Sequence, residues 1–154
     1  MRVRDLMTQP ASTCSIHATA KEAAQIMWEH DCGIVPVVDD NGHLAGVVTD
    51  RDVCMAAYFQ NRRLTDIPVE SFMSRELCAC HPDDALGHAE QMMSDRQLHR
   101  LPVVDGAGMP IGMLSLSDLA REVVRTGNGA HAGDPSGALL HTVAAISRPR
   151  WDHR

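Results

Sequence analysis

The chain of 154 residues is 44% apolar and 22% charged, the balance expected of one ordinary soluble domain. Fourteen Lys and Arg against twenty Asp and Glu leave a formal net charge of -6, which excludes a basic protein that coats nucleic acid or an anionic membrane. Aromatic residues make up only 3%, so a base-stacking surface is unexpected and the core must come from Val, Leu, Ile, Met and Ala.

The first residues, Met1-Arg-Val-Arg-Asp5, carry no apolar stretch of the secretory kind, and the five cysteines are odd in number, so a cytoplasmic protein with reduced thiols is expected. No apolar run approaches the roughly 18 residues of a membrane span. Thr19-Ala-Lys-Glu22 has the spacing of a capping box, and Ala20, Ala23, Ala24 and Met27 follow at helical intervals, which predicts an amphipathic helix over 19–31. Ile34 to Val38 and Leu44 to Val48 are short β-branched runs around the turn signal Asp39-Asp-Asn-Gly42, a strand, a turn and a strand. A second helix is expected from about Asp50 to Phe59, with Val53, Ala56 and Ala57 as its apolar positions.

The pattern then recurs. Asp84 is the expected cap of a helix running to about Arg96, strands are expected at 101–104 and 111–114, and a last helix runs from about Ser117 to Thr126 with Gly127 as its C-terminal cap. Residues 127–137, rich in Gly, Ala and Ser, read as a flexible linker. In the tail over 138–154, Leu139, Leu140, Val143, Ala144 and Ile146 fit a short helix ended by Pro149.

The recurrence is a repeat at one register, since Val3, Met7, Cys14, Ala23, Gln25, Met27, Gly42, Gly46 and Asp52 each meet the same residue 66 positions on, and Pro36-Val-Val-Asp39 meets Pro102-Val-Val-Asp105. One copy, placed at 1–62, and the other, at 63–126, are each too short to bury a good core alone. An α+β fold of two βαββα repeats packed about a pseudo-twofold axis is expected, with sites in pairs and a tail helix beyond.

Two such units, with Pro-Val-Val-Asp on the middle strand and Gly-x-x-Thr/Ser-x-x-Asp after the last strand, resemble a tandem pair of CBS domains, the Bateman module. The family is named after cystathionine β-synthase, where such domains are regulatory. The resemblance rests most firmly on Gly33 to Asp39 with Gly46 to Asp52, and on His99 to Asp105 with Gly112 to Asp118. It implies adenosine-containing ligands, such as AMP, ADP, ATP, S-adenosylmethionine or NAD, in clefts between the repeats, with no required cofactor. Asp52 and Asp118 would accept hydrogen bonds from ribose hydroxyls, and Thr49 and Ser115 would donate to ribose or phosphate. Such a carboxylate can accept from both hydroxyls of a cis-diol. Arg100 stands where related His-Arg-x-Pro strands place a phosphate-contacting arginine, Arg51 is a second candidate, and the first repeat has Ile34 at the position of Arg100. Adenine would lie near Cys14, Ser15, Ile16, Val35 and Pro36 in one cleft and near Cys80, His81, Pro82, Leu101 and Pro102 in the other.

Local structural roles compete with these assignments. Gly46 and Gly112 also suit tight turns, Pro36 and Pro102 sheet edges, Asp52 and Asp118 helix caps, and Arg100 a solvated or ion-paired position. Cys78-Ala-Cys80-His81 is the densest set of metal-ligand types, which leaves a zinc- or redox-responsive module as an alternative, although alternation along a strand would turn His81 away from the two thiols. The chain has no Gly-x-Ser-x-Gly elbow, His-Glu-x-x-His, Walker loop or Rossmann fingerprint. A non-enzymatic small-molecule sensor is therefore expected, acting on a protein effector and pairing as a homodimer through helical faces such as Val53, Ala56, Ala57 and Val123. A DNA-associated regulator is a further alternative that the net charge disfavours.

Overall fold

The computed structural model describes residues 1–126 and Thr142. The expected Gly127 cap, the linker and the tail helix lie outside the described residues, except that Thr142 is helical and buried. The elements in order are β1 (Cys14–Ser15), α1 (Ala20–Glu29), β2 (Ile34–Val38), β3 (Leu44–Thr49), α2 (Asp50–Gln60), α3 (Leu86–Arg96), β4 (Arg100–Val104), β5 (Pro110–Ser115) and α4 (Leu116–Thr126). Strands and helices thus fall where the two hydrophobic periods place them, to within a residue or two.

The chain forms two compact units. The first-repeat unit comprises Pro10–Leu77 with Val104–Gly112, and the second-repeat unit comprises Met1–Gln9, Cys78–Val103 and, among the described residues that follow, those of the chain from Met113 to Thr126. The leading arms of the repeats are therefore exchanged. Val3 and Arg4 donate their amides to the carbonyls of Asp84 and Pro82 in the second-repeat unit, at 3.1 and 3.0 Å. By the repeat register, Val69 does the same in the first-repeat unit, donating to Ala18 O at 2.8 Å, where Ala20 N also reaches Ile67 O at 2.8 Å.

In the first-repeat unit the sheet order is β1-β2-β3, with β1 parallel to β2 and β2 antiparallel to β3. Pro36 accordingly lies on a central strand and not at a sheet edge. Ile16 N bonds Val38 O on the β1 side, so residue 36 also faces that side, and its missing N–H points at the stretch ahead of β1, where the ladder has not begun. Alternation sends Val35 and Val37 into a core with Cys14, Ala20, Ala23, Met27, Val48, Val53, Ala56, Ile67 and Val69. Burial of Val53 and Ala56 takes those two out of the expected dimer face, because their side chains fill their own core, with Ala57 packed partly against it; the Val123 side chain lies outside the described residues. Gly46 is needed for close approach on a strand: an added Cβ would sit 2.8 Å from the carbonyl oxygen of Ser74. The tight turn belongs instead to Gly42, at φ +84°, where Asp39 Oδ1 accepts the amides of Asn41 and His43 at 2.9 Å each.

The second-repeat unit buries the register-matched set: Val3, Cys80, Ala89, Met93, Leu101, Val103, Leu114 and Leu119. β4 and β5 form a two-stranded sheet, and Cys80 bridges to Val103 in parallel, as Cys14 does to Val37. One expected cap is corrected. The N-cap of α3 is Ala85, which has no side-chain hydrogen bond, while Asp84 Oδ2 accepts the His81 amide at 2.8 Å and closes the preceding turn. At the matching position Thr19 does cap α1, in a capping box with Glu22.

Candidate functional site: two strand-to-helix corners

The register-matched candidates Thr49 with Asp52 and Ser115 with Asp118 stand at the junctions β3–α2 and β5–α4. A strand that ends directly in a helix leaves the first helical amides without partners, and each corner solves this with a capping box. Thr49 Oγ1 accepts the Asp52 amide at 3.1 Å, and Asp52 Oδ2 accepts from Thr49 N at 2.8 Å and Thr49 Oγ1 at 2.7 Å. Ser115 Oγ accepts the Asp118 amide at 3.2 Å, and Asp118 Oδ2 accepts from Ser115 N at 2.7 Å and Ser115 Oγ at 2.6 Å. The caps are thus Thr49 and Ser115, with the aspartates one turn in. Each hydroxyl has one proton, and in this arrangement it is committed to the aspartate.

The outer carboxylate oxygens differ. Among the described residues, no group hydrogen-bonds Asp52 Oδ1, and Asp52 is half-buried. Asp118 is 3% exposed, and its Oδ1 accepts from Thr8 Oγ1 at 3.4 Å and pairs with Arg121 Nη2. By register, the first-repeat unit has Ser74 and Met55 in place of Thr8 and Arg121. The backbone frames are otherwise alike: Thr8 exchanges amide bonds with Met113 at 2.8 and 2.9 Å, and Ser74 with Val47 at 2.9 and 3.0 Å. Thr8 and Arg121 were not among the candidates read from sequence. The i, i+3 spacing of Arg121 from Asp118 on a helix, against Met55 in the other copy, was the available signal.

Each remaining candidate falls in the same unit as its aspartate. Ile34 pairs with Thr49 across β2 and β3, so their side chains share a face. Asp50 N donates to Gly33 O at 3.1 Å and Leu116 N to His99 O at 2.9 Å, an equivalence that puts Arg100 beside Ser115. Arg100 is half-buried, Arg51 exposed, and among the described residues neither guanidinium makes an ion pair. Of the positions suggested for adenine, Cys14, Val35, Pro36, Cys80, Leu101 and Pro102 are buried, Ile16 and Pro82 half-buried, and Ser15 and His81 exposed.

Cys14 and Cys80 belong to the cores. Burial, with a smaller push from Glu22, raises the Cys14 thiol to about 11, and burial, then Asp84 and Cys78, raises Cys80 to about 12. Both are neutral thiols at physiological pH, poor nucleophiles and poor metal ligands. None of the five cysteines forms a disulfide, and among the described residues no three His, Cys, Asp or Glu side chains cluster closely enough to hold a metal ion. Among the same residues no helix is long and apolar enough to cross a membrane.

Comparison with known proteins agrees with the repeat. The CBS domain family model matches residues 3–58 and again 69–125. A CBS domain-containing protein of Bacillus subtilis, YhcV, is 40% identical over 118 residues, covering 77% of this chain and 82% of that protein. Among solved structures, the CBS domain pair of protein MJ0100 in complex with 5'-methylthioadenosine and S-adenosyl-L-methionine has a TM-score of 0.73 at 28% identity, over 82% of this chain and 98% of that one. The structure of CBSX2 in complex with AMP has a TM-score of 0.71 at 25% identity, over 82% and 98%. The chain belongs to the CBS domain family, with two copies in tandem. Some relatives are enzymes, such as an L-aspartate semialdehyde sulfurtransferase of Methanocaldococcus jannaschii, 29% identical over 77% of this chain, but the chain spans only 22% of that protein's length.

Proposed function

We propose that the protein is a regulatory sensor of adenosine-containing ligands, with Asp52 and Asp118 as acceptors for ribose hydroxyls. The observation that carries this reading is the Asp52 carboxylate: Thr49 fixes Oδ2, and Oδ1 is left with its lone pairs open beside a strand-to-helix corner. An ionised oxygen in that state is matched to a vicinal diol. The adenosyl ligands held by the CBS pairs of MJ0100 and CBSX2 support the same chemistry. Arg100 and Arg51 are the proposed phosphate contacts, assisted by the amides that begin α2 and α4. Base contact is proposed for the partly open Ile16 and Pro82 with the strand backbone at 35–36 and 101–102, the buried side chains of Cys14, Val35, Cys80 and Leu101 supporting from beneath; Ser15 and His81 flank these positions.

Occupancy would be passed to a protein effector or a second copy, without catalysis by this chain, in a reducing cytoplasm. Self-association is proposed through the outer faces of α1 and α2, because Trp28, Tyr58 and Phe59 are 88%, 76% and 75% exposed, three of the five aromatic residues in the chain.

Thermal melting with AMP, ADP, ATP, NAD and S-adenosylmethionine, against GMP and GTP, tests the reading. A ligand at a hundredfold excess over its Kd stabilises by about 2.7 kcal/mol, a measurable rise in Tm. At least one adenine compound is expected to raise Tm more than its guanine counterpart, and no rise with any of them at millimolar concentration would overturn the reading.

A further inference from the structure

Resting on the ribose-acceptor reading, we propose that Arg121 is a built-in competitor for the ribose carboxylate of the second-repeat unit, so that the two corners of one chain differ in affinity for the same nucleoside. A carboxylate oxygen offers a diol its lone pairs. On Asp118 Oδ1 those lone pairs are already taken by the guanidinium of Arg121 and the hydroxyl of Thr8, and the carboxylate is 3% exposed. Asp52 Oδ1 meets no donor among the described residues, and Met55, at the register position of Arg121, has none to offer. A diol reaches Asp52 directly and reaches Asp118 only by displacing Arg121.

The displacement is feasible because the Arg121 side chain is 73% exposed, so the released guanidinium returns to water and keeps its charge solvated. The gate is electrostatic and its guanidinium stands in solvent, so salt weakens it, though less than it would a pair exposed on both sides. For an uncharged ligand this predicts an inverted salt effect: adenosine, which has no charge for the salt to screen, binds the second-repeat corner more tightly as ionic strength rises.

The Thr49 and Ser115 amides each donate to the aspartate of their own corner, so their NMR resonances report the corners separately during an adenosine titration of the full chain. In the wild type the Thr49 signal is expected to shift at lower adenosine concentration than the Ser115 signal. Arg121→Met, which installs the residue of the other repeat, is expected to tighten binding read at Ser115 by about two- to fivefold, the reach of an ion pair whose cation stands in solvent, and to abolish its inverted salt effect. Met55→Arg is expected to weaken binding read at Thr49 by a similar factor. Arg121→Gln, with melting curves on all variants, separates release of the carboxylate from a change in folding. Unchanged or weaker binding at Ser115 in both Arg121 variants would overturn the gate while leaving the ribose-acceptor reading intact. Adenosine shifting neither amide in any variant would overturn both.

Discussion

The two units build the same corner from the same register, and their carboxylates end in different states. In the first-repeat unit the outer oxygen of Asp52 is open, and in the second the outer oxygen of Asp118 is closed by Thr8 and Arg121. The backbone frame is shared down to the paired amide bonds of Ser74 with Val47 and Thr8 with Met113. Duplication therefore preserved the geometry that positions an acceptor, while substitution around it changed what the acceptor can do. The caps diverge in the opposite sense: α1 in the first-repeat unit keeps a full capping box, and α3 in the second has Ala85 where a hydroxyl would be needed.

The largest expected effect probes the exchanged arms. Ile67 is fully buried in the core of the first-repeat unit, so Ile67→Ala should cost about 2–5 kcal/mol, read as a lower denaturant midpoint. NMR shift changes should gather around Ala18 and Ala20, where the arm is bonded, and changes confined to residues 82–85 would contradict the exchange.

The helix caps give a smaller, two-sided comparison. Thr19→Ala should destabilise by about 1 kcal/mol, and Ala85→Thr with His88→Glu, which copies the first box into the second repeat, should stabilise by a similar amount. Equal and unchanged melting temperatures would show that both helices are held by packing alone.

At neutral pH the matched thiols have the smallest effect. Their folded values, about 11 for Cys14 and about 12 for Cys80, lie above the ordinary 9.0, so the unfolded chain loses those protons first. The stability they contribute is complete below pH 9 and is lost as pH rises through the interval from 9 towards 11 and 12. Alkylation of the native protein at neutral pH should accordingly modify the exposed Cys54 and spare Cys14 and Cys80. Rapid modification of either buried thiol would revive a redox role.

The frame that carries this contrast is legible in the sequence, and the contrast itself only in part. Identical apolar residues at one offset marked part of the core, being buried in both copies: Cys14 with Cys80, Ala23 with Ala89, Met27 with Met93. Strand and helix placement followed from period and turn chemistry. The arm exchange did not show, since self-alignment says which residues correspond and not which copy an arm packs against. Asp84 was misread as a cap because a carboxylate before a helical pattern is a frequent cap, whereas here the turn from His81 captured it. Val53 and Ala56 were misread as a free face because periodicity finds an apolar stripe without saying what covers it, and the exposed side of α2 instead carries Met55, Tyr58 and Phe59. The inequality of the sites was expected at Ile34 and Arg100, and the clearest difference in hydrogen bonding lies at Met55 and Arg121.

Calorimetric titration of AMP into the wild type, Asp52→Ala and Asp118→Ala tests the central claim most directly. A hydrogen bond to a charged group is worth about 1.5–3 kcal/mol, so Asp52→Ala should weaken the tighter binding about 10- to 150-fold, while Asp118→Ala leaves that class of site largely unchanged. AMP binding of unchanged affinity in both variants, accompanied only by lower stability, would make the aspartates structural members of their capping boxes and contradict the account.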